Sequence, residues 1–173
     1  MQCYTLCCSN SCDNIFRYIL ESWKLQKEIC DICEEDKALV SRSIEYLEKE
    51  GHVVIDQGTY NKDSVDYPDF AKWVVKDVQD NEADYGILVC YTGIGMSMAA
   101  NKARGIRAAL VGKVEDAVLT REHNNANVLC LSAKNTSVED AFEIIKAQLL
   151  SDAKNMNQHK SISLLAKWMP SIN

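Results

Sequence analysis

The stretch Gly86-Ile-Leu-Val-Cys-Tyr-Thr-Gly-Ile-Gly-Met-Ser97 constrains the fold of this chain more than any other. Ile87 to Val89 is a short apolar run of the kind that forms a strand buried on both faces. It ends in Cys90, turns through Gly93 and Gly95, and continues as Met96-Ser-Met-Ala-Ala-Asn101, the composition of a helix start. A strand that passes through a glycine turn into a helix is half of a βαβ unit. In that arrangement the first helical turn leaves N–H groups free to bind negative charge, and glycine lets a ligand approach the backbone closely. Cys90 stands at the mouth of such a site, where a helix dipole favours the thiolate. The position equally suits an inert cysteine buried at a strand end, because free cysteine is among the most buried residue types.

The flanking sequence repeats the alternation. Ile29-Cys-Asp-Ile-Cys33 predicts a strand, and Asp36 to Glu50 a helix with Leu39, Val40, Ile44 and Leu47 on one face and Gly51 as its C-cap. Val53 to Ile55 predicts the next strand, and Gln57-Gly-Thr59 a turn. A second helix begins near Pro68, with Phe70, Trp73, Val74 and Val78 in period. Ile106 to Val111 and Asn127 to Leu131 predict strands on either side of a helix from Val114 to Arg121. Ser137-Val-Glu-Asp140 has the form of a capping box that opens a helix to Leu150, and Ile162, Leu165 and Trp168 mark a last helix. Alternating strands and helices with short connections imply right-handed crossovers and a parallel sheet covered on both faces. Ligands of such sheets bind beyond the carboxyl ends of the strands, where Cys90 lies.

Residues 1–26 read as an N-terminal extension. Ile15, Phe16, Ile19, Leu20 and Trp23 recur at helical spacing, which predicts a short amphipathic helix from Ser11 to Leu25. Residues 27–173 form the main domain, C-terminal helix included.

Composition narrows the partners. A net charge of −6 with both signs interspersed argues against nucleic acid, and no apolar run approaches the roughly 18 residues of a membrane span. Of eight cysteines, only Cys90 and Cys130 lie beyond Cys33. Cys30-Asp-Ile-Cys33 is a single CxxC that neither His52 nor His123 completes into a zinc pattern, so no metal is expected. The opening Met-Gln-Cys-Tyr-Thr-Leu-Cys-Cys lacks the features of a signal peptide, which predicts a reducing, cytoplasmic setting.

Longer motifs carry a resemblance. Gly51-His-Val-Val-Ile-Asp-Gln-Gly-Thr-Tyr60, Ser64-Val-Asp-Tyr-Pro-Asp-Phe-Ala71, the Ile87 to Ser97 run, Ala100-Asn-Lys102, Gly105-Ile-Arg-Ala-Ala109 and Arg121-Glu-His-Asn-Asn-Ala-Asn-Val-Leu129 follow one another as in the ribose-5-phosphate isomerase B family. That family also includes the galactose-6-phosphate isomerase subunits. The resemblance is close from Gly51 to Leu150 and loose outside it. It implies a Rossmann-like three-layer α/β/α sandwich around a parallel, five-stranded sheet. It also implies a dimer or tetramer whose active sites are completed by a neighbouring subunit, and an aldose–ketose isomerisation of a sugar phosphate through an enediolate, with no metal or other cofactor. By motif, Cys90 matches the base that moves a proton between C1 and C2, and Thr92 and His123 match groups that assist ring opening. Gly93, Gly95 and Ser97 lie in the loop that holds the enediolate oxygen. Asn101 and Asn124 match sugar-contacting positions, Tyr67 a tyrosine lining the pocket, and Lys134 the basic position after the fifth strand.

The chain departs from the family pattern in four places. The Asp-His pair expected after the first strand has no counterpart near Cys33 to Lys37, and Tyr91 stands where glycine is expected. Lys134 keeps a charge but lacks arginine's bidentate fork. Asn155-Met-Asn-Gln-His-Lys160 lacks the arginines that hold phosphate, with only His159 and Lys160 to substitute. Two functions follow: a working sugar-phosphate isomerase, or a catalytically weak member that binds a sugar phosphate or partners an active subunit.

Overall fold

The structure, a computed structural model, describes residues 3–9, 39–57 and 66–151. Five strands form one sheet: β1 (Cys3–Ser9), β2 (Val53–Asp56), β3 (Tyr85–Cys90), β4 (Ala108–Leu110) and β5 (Val128–Ser132), in the order β2-β1-β3-β5-β4. Helices α1 (39–49), α2 (Tyr67–Gln79), α3 (Ile94–Ala100), α4 (Val114–Asn124) and α5 (Val138–Leu150) cover it. Successive residues of a strand face opposite sides. Ile87, Val89, Leu129 and Leu131 accordingly pack with α1 and α5, while Leu88, Cys90, Val128 and Cys130 pack with α2 and α3. This is the three-layer α/β/α sandwich that the alternation and the resemblance predict.

The parallel sheet is present where β3 pairs with β5 and β5 with β4. β1 departs from it, running antiparallel to both β2 and β3, with Leu6 opposite Asp56 and Cys3 opposite Cys90. Cys3-Tyr-Thr-Leu-Cys-Cys-Ser9 is an uncharged run of strand formers, and such a run satisfies the backbone groups of two neighbouring strands in either direction. These residues belong to the stretch assigned on sequence to an N-terminal extension. The strand predicted at Ile29 to Cys33 and the helices predicted from Ser11 to Leu25 and around Ile162 to Trp168 lie outside the described residues.

Local signals explain most element ends. The α1 face of Leu39, Val40, Ile44 and Leu47 is buried, and the helix stops at Gly51, whose φ of 87° suits glycine. The His52 N–H donates to Leu47 O and the Gly51 N–H to Glu48 O, a paired C-cap. Pro68 sits in the first turn of α2. Trp73, expected in the α2 core, is instead 41% exposed and packs edge-on against Phe70, because Val74, Val75 and Val78 already fill the face toward the sheet. At α5 the Ser137 Oγ accepts from the Asp140 N–H at 3.1 Å and donates to Asp140 Oδ2 at 2.7 Å. The Asp carboxylate therefore holds the cap hydroxyl rather than reaching back to the Ser137 backbone, as a longer Glu would.

Candidate active site

Parallel strands β3, β5 and β4 end together, and the loops that follow them form the carboxyl edge of the sheet. Cys90 is the last residue of β3 and is fully buried. The chain then turns through Gly93, whose φ of 73° lies in the left-handed region. That turn brings the Gly93 N–H back onto Cys90 Sγ at 3.1 Å. That bond fixes the sulfur at the head of the glycine turn. α3 begins immediately afterwards. Its first intrahelical bond runs from the Ser97 N–H to Gly93 O, which leaves the N–H groups of Gly95 and Met96 ahead of the hydrogen-bond ladder.

Other predicted residues gather around this turn. The Tyr67 ring covers Gly95 so closely that a methyl there would stand 3.1 Å from Tyr67 Cζ. Thr92 Oγ1 accepts a long bond from the Ile94 N–H at 3.4 Å, and Ser97 Oγ donates to Ile94 O at 2.9 Å. The loop after β5 is tied to the same turn: Ala133 N–H donates to Cys90 O, while Lys134 N–H and Ser132 Oγ both donate to Tyr91 O. Tyr91 lies toward that loop, its ring 5.3 Å from the Lys134 ammonium. The carboxyl edge thus brings together Cys90, Thr92, Gly93, Gly95, Ser97, Tyr67 and Lys134.

Asn101, His123 and Asn124 lie elsewhere. His123 and Asn124 close α4, the helix that leads into the amino end of β5. Val128 and Ser132 alone separate the two ends by about 13 Å at ~3.3 Å per residue. Asn101 follows α3 at the amino end of β4. Its Nδ2 donates to Ser97 O at 2.9 Å and Ala108 O at 2.7 Å, and its Oδ1 accepts from the Ala108 N–H at 2.9 Å. Asn101 and Asn124 line a recess of about 190 Å³ with Ile106, Arg107, Ala108 and Thr120. One chain therefore holds two separate groups of predicted site residues.

The second group is held rigidly by two arginines to which the sequence assigned no role. Arg121, only 6% exposed, donates Nη1 to Asn125 Oδ1 and Ala126 O, Nη2 to Tyr85 Oη at 2.8 Å and Nε to Ser151 O. It pins the end of α4, and Asn125 in the left-handed region at φ 49° stops the helix there. Arg107 donates Nε to Asn125 O at 2.7 Å and Nη1 to Gly105 O at 2.9 Å. Burial, and then the neighbouring charge of Arg121, lower its pKa from the usual arginine value. The available signal was the basic residue inside Gly105-Ile-Arg-Ala-Ala109.

Cys130 sits on the same face as Cys90, one strand over. Burial, with a smaller contribution from Cys90, pushes its thiol strongly up. A solvated thiol ionises near pH 9.0, so above that pH the unfolded chain releases a proton that the folded chain keeps. Stability contributed by this group is complete below pH 9 and falls above it by about 1.4 kcal/mol per pH unit. Urea unfolding between pH 8 and 11 should show that slope, and Cys130→Ala should flatten it. An unchanged slope in the variant would assign the alkaline loss to other groups.

Among the described residues no group of three or more His, Cys, Asp or Glu is placed to hold a metal ion, and no helix is long and apolar enough to cross a membrane.

Comparison with known proteins matches residues 33–164 to the family described as Ribose/Galactose Isomerase. Ribose-5-phosphate isomerase B of Escherichia coli is 42% identical over 106 residues, 61% of this chain and 71% of that protein. Galactose-6-phosphate isomerase subunit LacB of Clostridium acetobutylicum is 41% identical over 118 residues, 68% of each. The solved structure of ribose-5-phosphate isomerase B from Mycoplasma genitalium with bound ribulose-5-phosphate superposes with a TM-score of 0.73 at 36% identity, covering 78% of this chain and 90% of that one.

Proposed function

The chain belongs to the ribose/galactose isomerase family, and from that premise we propose that it interconverts an aldose phosphate and a ketose phosphate of the ribose 5-phosphate type. Cys90 takes the carbon-bound proton and returns it to the neighbouring carbon. The observation that carries this reading is the Gly93 N–H on Cys90 Sγ at 3.1 Å, at the head of the glycine turn. A thiolate supported by a fixed donor serves as the base, and the N–H groups of the turn face the oxygen on which enediolate charge develops. Thr92 and His123 assist ring opening, Gly93, Gly95 and Ser97 shape the oxygen site, and Tyr67, Asn101, Asn124 and Lys134 contact the phosphosugar. No metal or organic cofactor enters the reaction.

A single chain keeps Cys90 and His123 at opposite ends of the sheet, so the two serve one substrate only if a second copy supplies His123, Asn124 and Asn101, which lines the same recess as Asn124. A homodimer, or a tetramer of such dimers, follows. The missing Asp-His pair and C-terminal arginines support a second reading, a sugar-phosphate-binding subunit without turnover of its own. Assay of the purified protein with ribose 5-phosphate and with allose 6-phosphate separates them. Turnover of either sugar is expected; binding of a phosphosugar without turnover would replace the enzyme reading with the second one.

A further inference from the structure

Two of the four departures from the family pattern meet in the fold. Tyr91, where glycine is expected, has its ring centroid 5.3 Å from the ammonium of Lys134, which stands where arginine is expected. Their main chains are joined as well. The Lys134 N–H donates to Tyr91 O at 3.1 Å, Ser132 Oγ donates to the same oxygen at 2.9 Å, and the Ala133 N–H donates to Cys90 O at 3.0 Å. Ring and lysine stem therefore start from fixed points at the ends of two paired strands, β3 and β5. Glycine at position 91 would keep these backbone bonds and offer the ammonium no partner.

Lys134 is exposed, and a lysine without a partner spreads its charge over the many rotamers of a flexible stem. Arginine's planar fork is preorganised and loses less freedom for each bond it forms. An aromatic face within about 6 Å attracts an ammonium, and an ammonium has three donors, so those turned away from the ring stay open to an acceptor. Thr92 and Gly93 follow Tyr91 directly, which puts the held charge beside the turn that carries Cys90. We propose that Tyr91 is a positioning residue that holds the Lys134 ammonium at the carboxyl edge for the phosphate of the sugar, an assignment that rests on the reading in which Lys134 contacts the phosphosugar. Tyr91 supplies the preorganisation that lysine lacks beside arginine. It acts through Lys134 and has no part in the proton transfer, so its loss weakens substrate binding and leaves the chemical step as it was.

The test is a double-mutant cycle on the full chain, with KM and kcat for ribose 5-phosphate measured beside its Kd by calorimetry. Tyr91→Leu should raise KM and Kd about two- to fivefold with kcat unchanged, the range of a cation–π contact at an exposed site. Tyr91→Met repeats the comparison should the leucine variant not fold. Tyr91→Phe keeps the ring face and should restore the wild-type KM. Lys134→Ala should raise KM about tenfold or more, and adding Tyr91→Leu to it should change nothing further. An equal loss from Tyr91→Leu with and without Lys134, a phenylalanine variant as weak as the leucine one, or a wild-type KM in Tyr91→Leu would overturn the proposal. Wild-type KM and Kd in Lys134→Ala would overturn it together with the contact assigned to Lys134. The same Kd ratios in a protein that turns over neither sugar would sustain the Tyr91–Lys134 pair and count against the isomerase reading alone.

Discussion

Replacement of Cys90 by serine should lower kcat for ribose 5-phosphate by at least about a hundredfold, the range in which a positioned general base contributes. The substitution is almost isosteric. Serine's oxygen can accept the Gly93 N–H that now bonds Sγ at 3.1 Å, so the loop keeps its anchor and stability should change by no more than about 1 kcal/mol. What is lost is acidity: a serine hydroxyl is a far weaker acid than a thiol and does not supply a base in its place. The effect should appear in kcat with KM little moved, because the proposed mechanism assigns the contacts to the sugar and its phosphate to other residues. Stopped assays of wild type and variant, with melting curves of both, check this. Near wild-type turnover in the variant would remove Cys90 from the mechanism.

The second large effect lies at Gly93 and is structural before it is chemical. At φ 73° a side chain is strained, and a methyl on Gly93 would collide with Leu110 Cδ1 and stand 3.0 Å from Leu131 O. Leu110 can shift, since β4 is an edge strand and its side chain is 44% exposed. The Leu131 carbonyl cannot, because it belongs to the buried β5 ladder. Gly93→Ala should therefore cost about 3 kcal/mol, roughly 10 °C in Tm. It should also abolish most activity by moving the Gly93 N–H off sulfur. Gly95→Ala is the contrast: there a methyl meets only the Tyr67 ring at 3.1 Å, and a side chain yields more easily than a strand. Equal melting temperatures for Gly93→Ala and wild type would show that the turn is looser than its geometry implies.

Much of this architecture was legible because each layer repeats one physical rule. The apolar run at Ile87 to Val89 and the one at Val128 to Leu131 are buried on both faces, which only a sheet covered twice requires. Gly51, Pro68 and Ser137 announced their helix ends through local chemistry that tertiary context did not override. β1 was not legible: Cys3-Tyr-Thr-Leu-Cys-Cys-Ser9 was read with the helical spacing that follows it as one N-terminal extension, and strand direction has no local signature. Trp73 was misread because helical period alone does not say how wide the buried stripe is, and valines on the same helix filled it.

The candidate site divides in the same way. The glycine turn and Cys90 could be read from the chain because a turn is a local object. Their distance from His123 and Asn124 depends on α4 delivering its last residues to the start of β5 rather than to its end. Asn101 shows the limit of motif matching, since its amide is already bonded to Ser97 O and to both backbone groups of Ala108. To serve a sugar it would have to exchange one of those bonds.

The central claim is that one active site takes its base from one chain and His123 from another. Subunit mixing tests it most directly. Cys90→Ser and His123→Ala proteins, each nearly inactive alone, are unfolded together, refolded and assayed as a mixture. Random pairing makes about half of the dimers mixed, and each mixed dimer has one site with both wild-type residues, so turnover should rise to about a quarter of wild type. A mixture no more active than its two parents would contradict the shared site, and with it the assignment of His123 to the same reaction as Cys90.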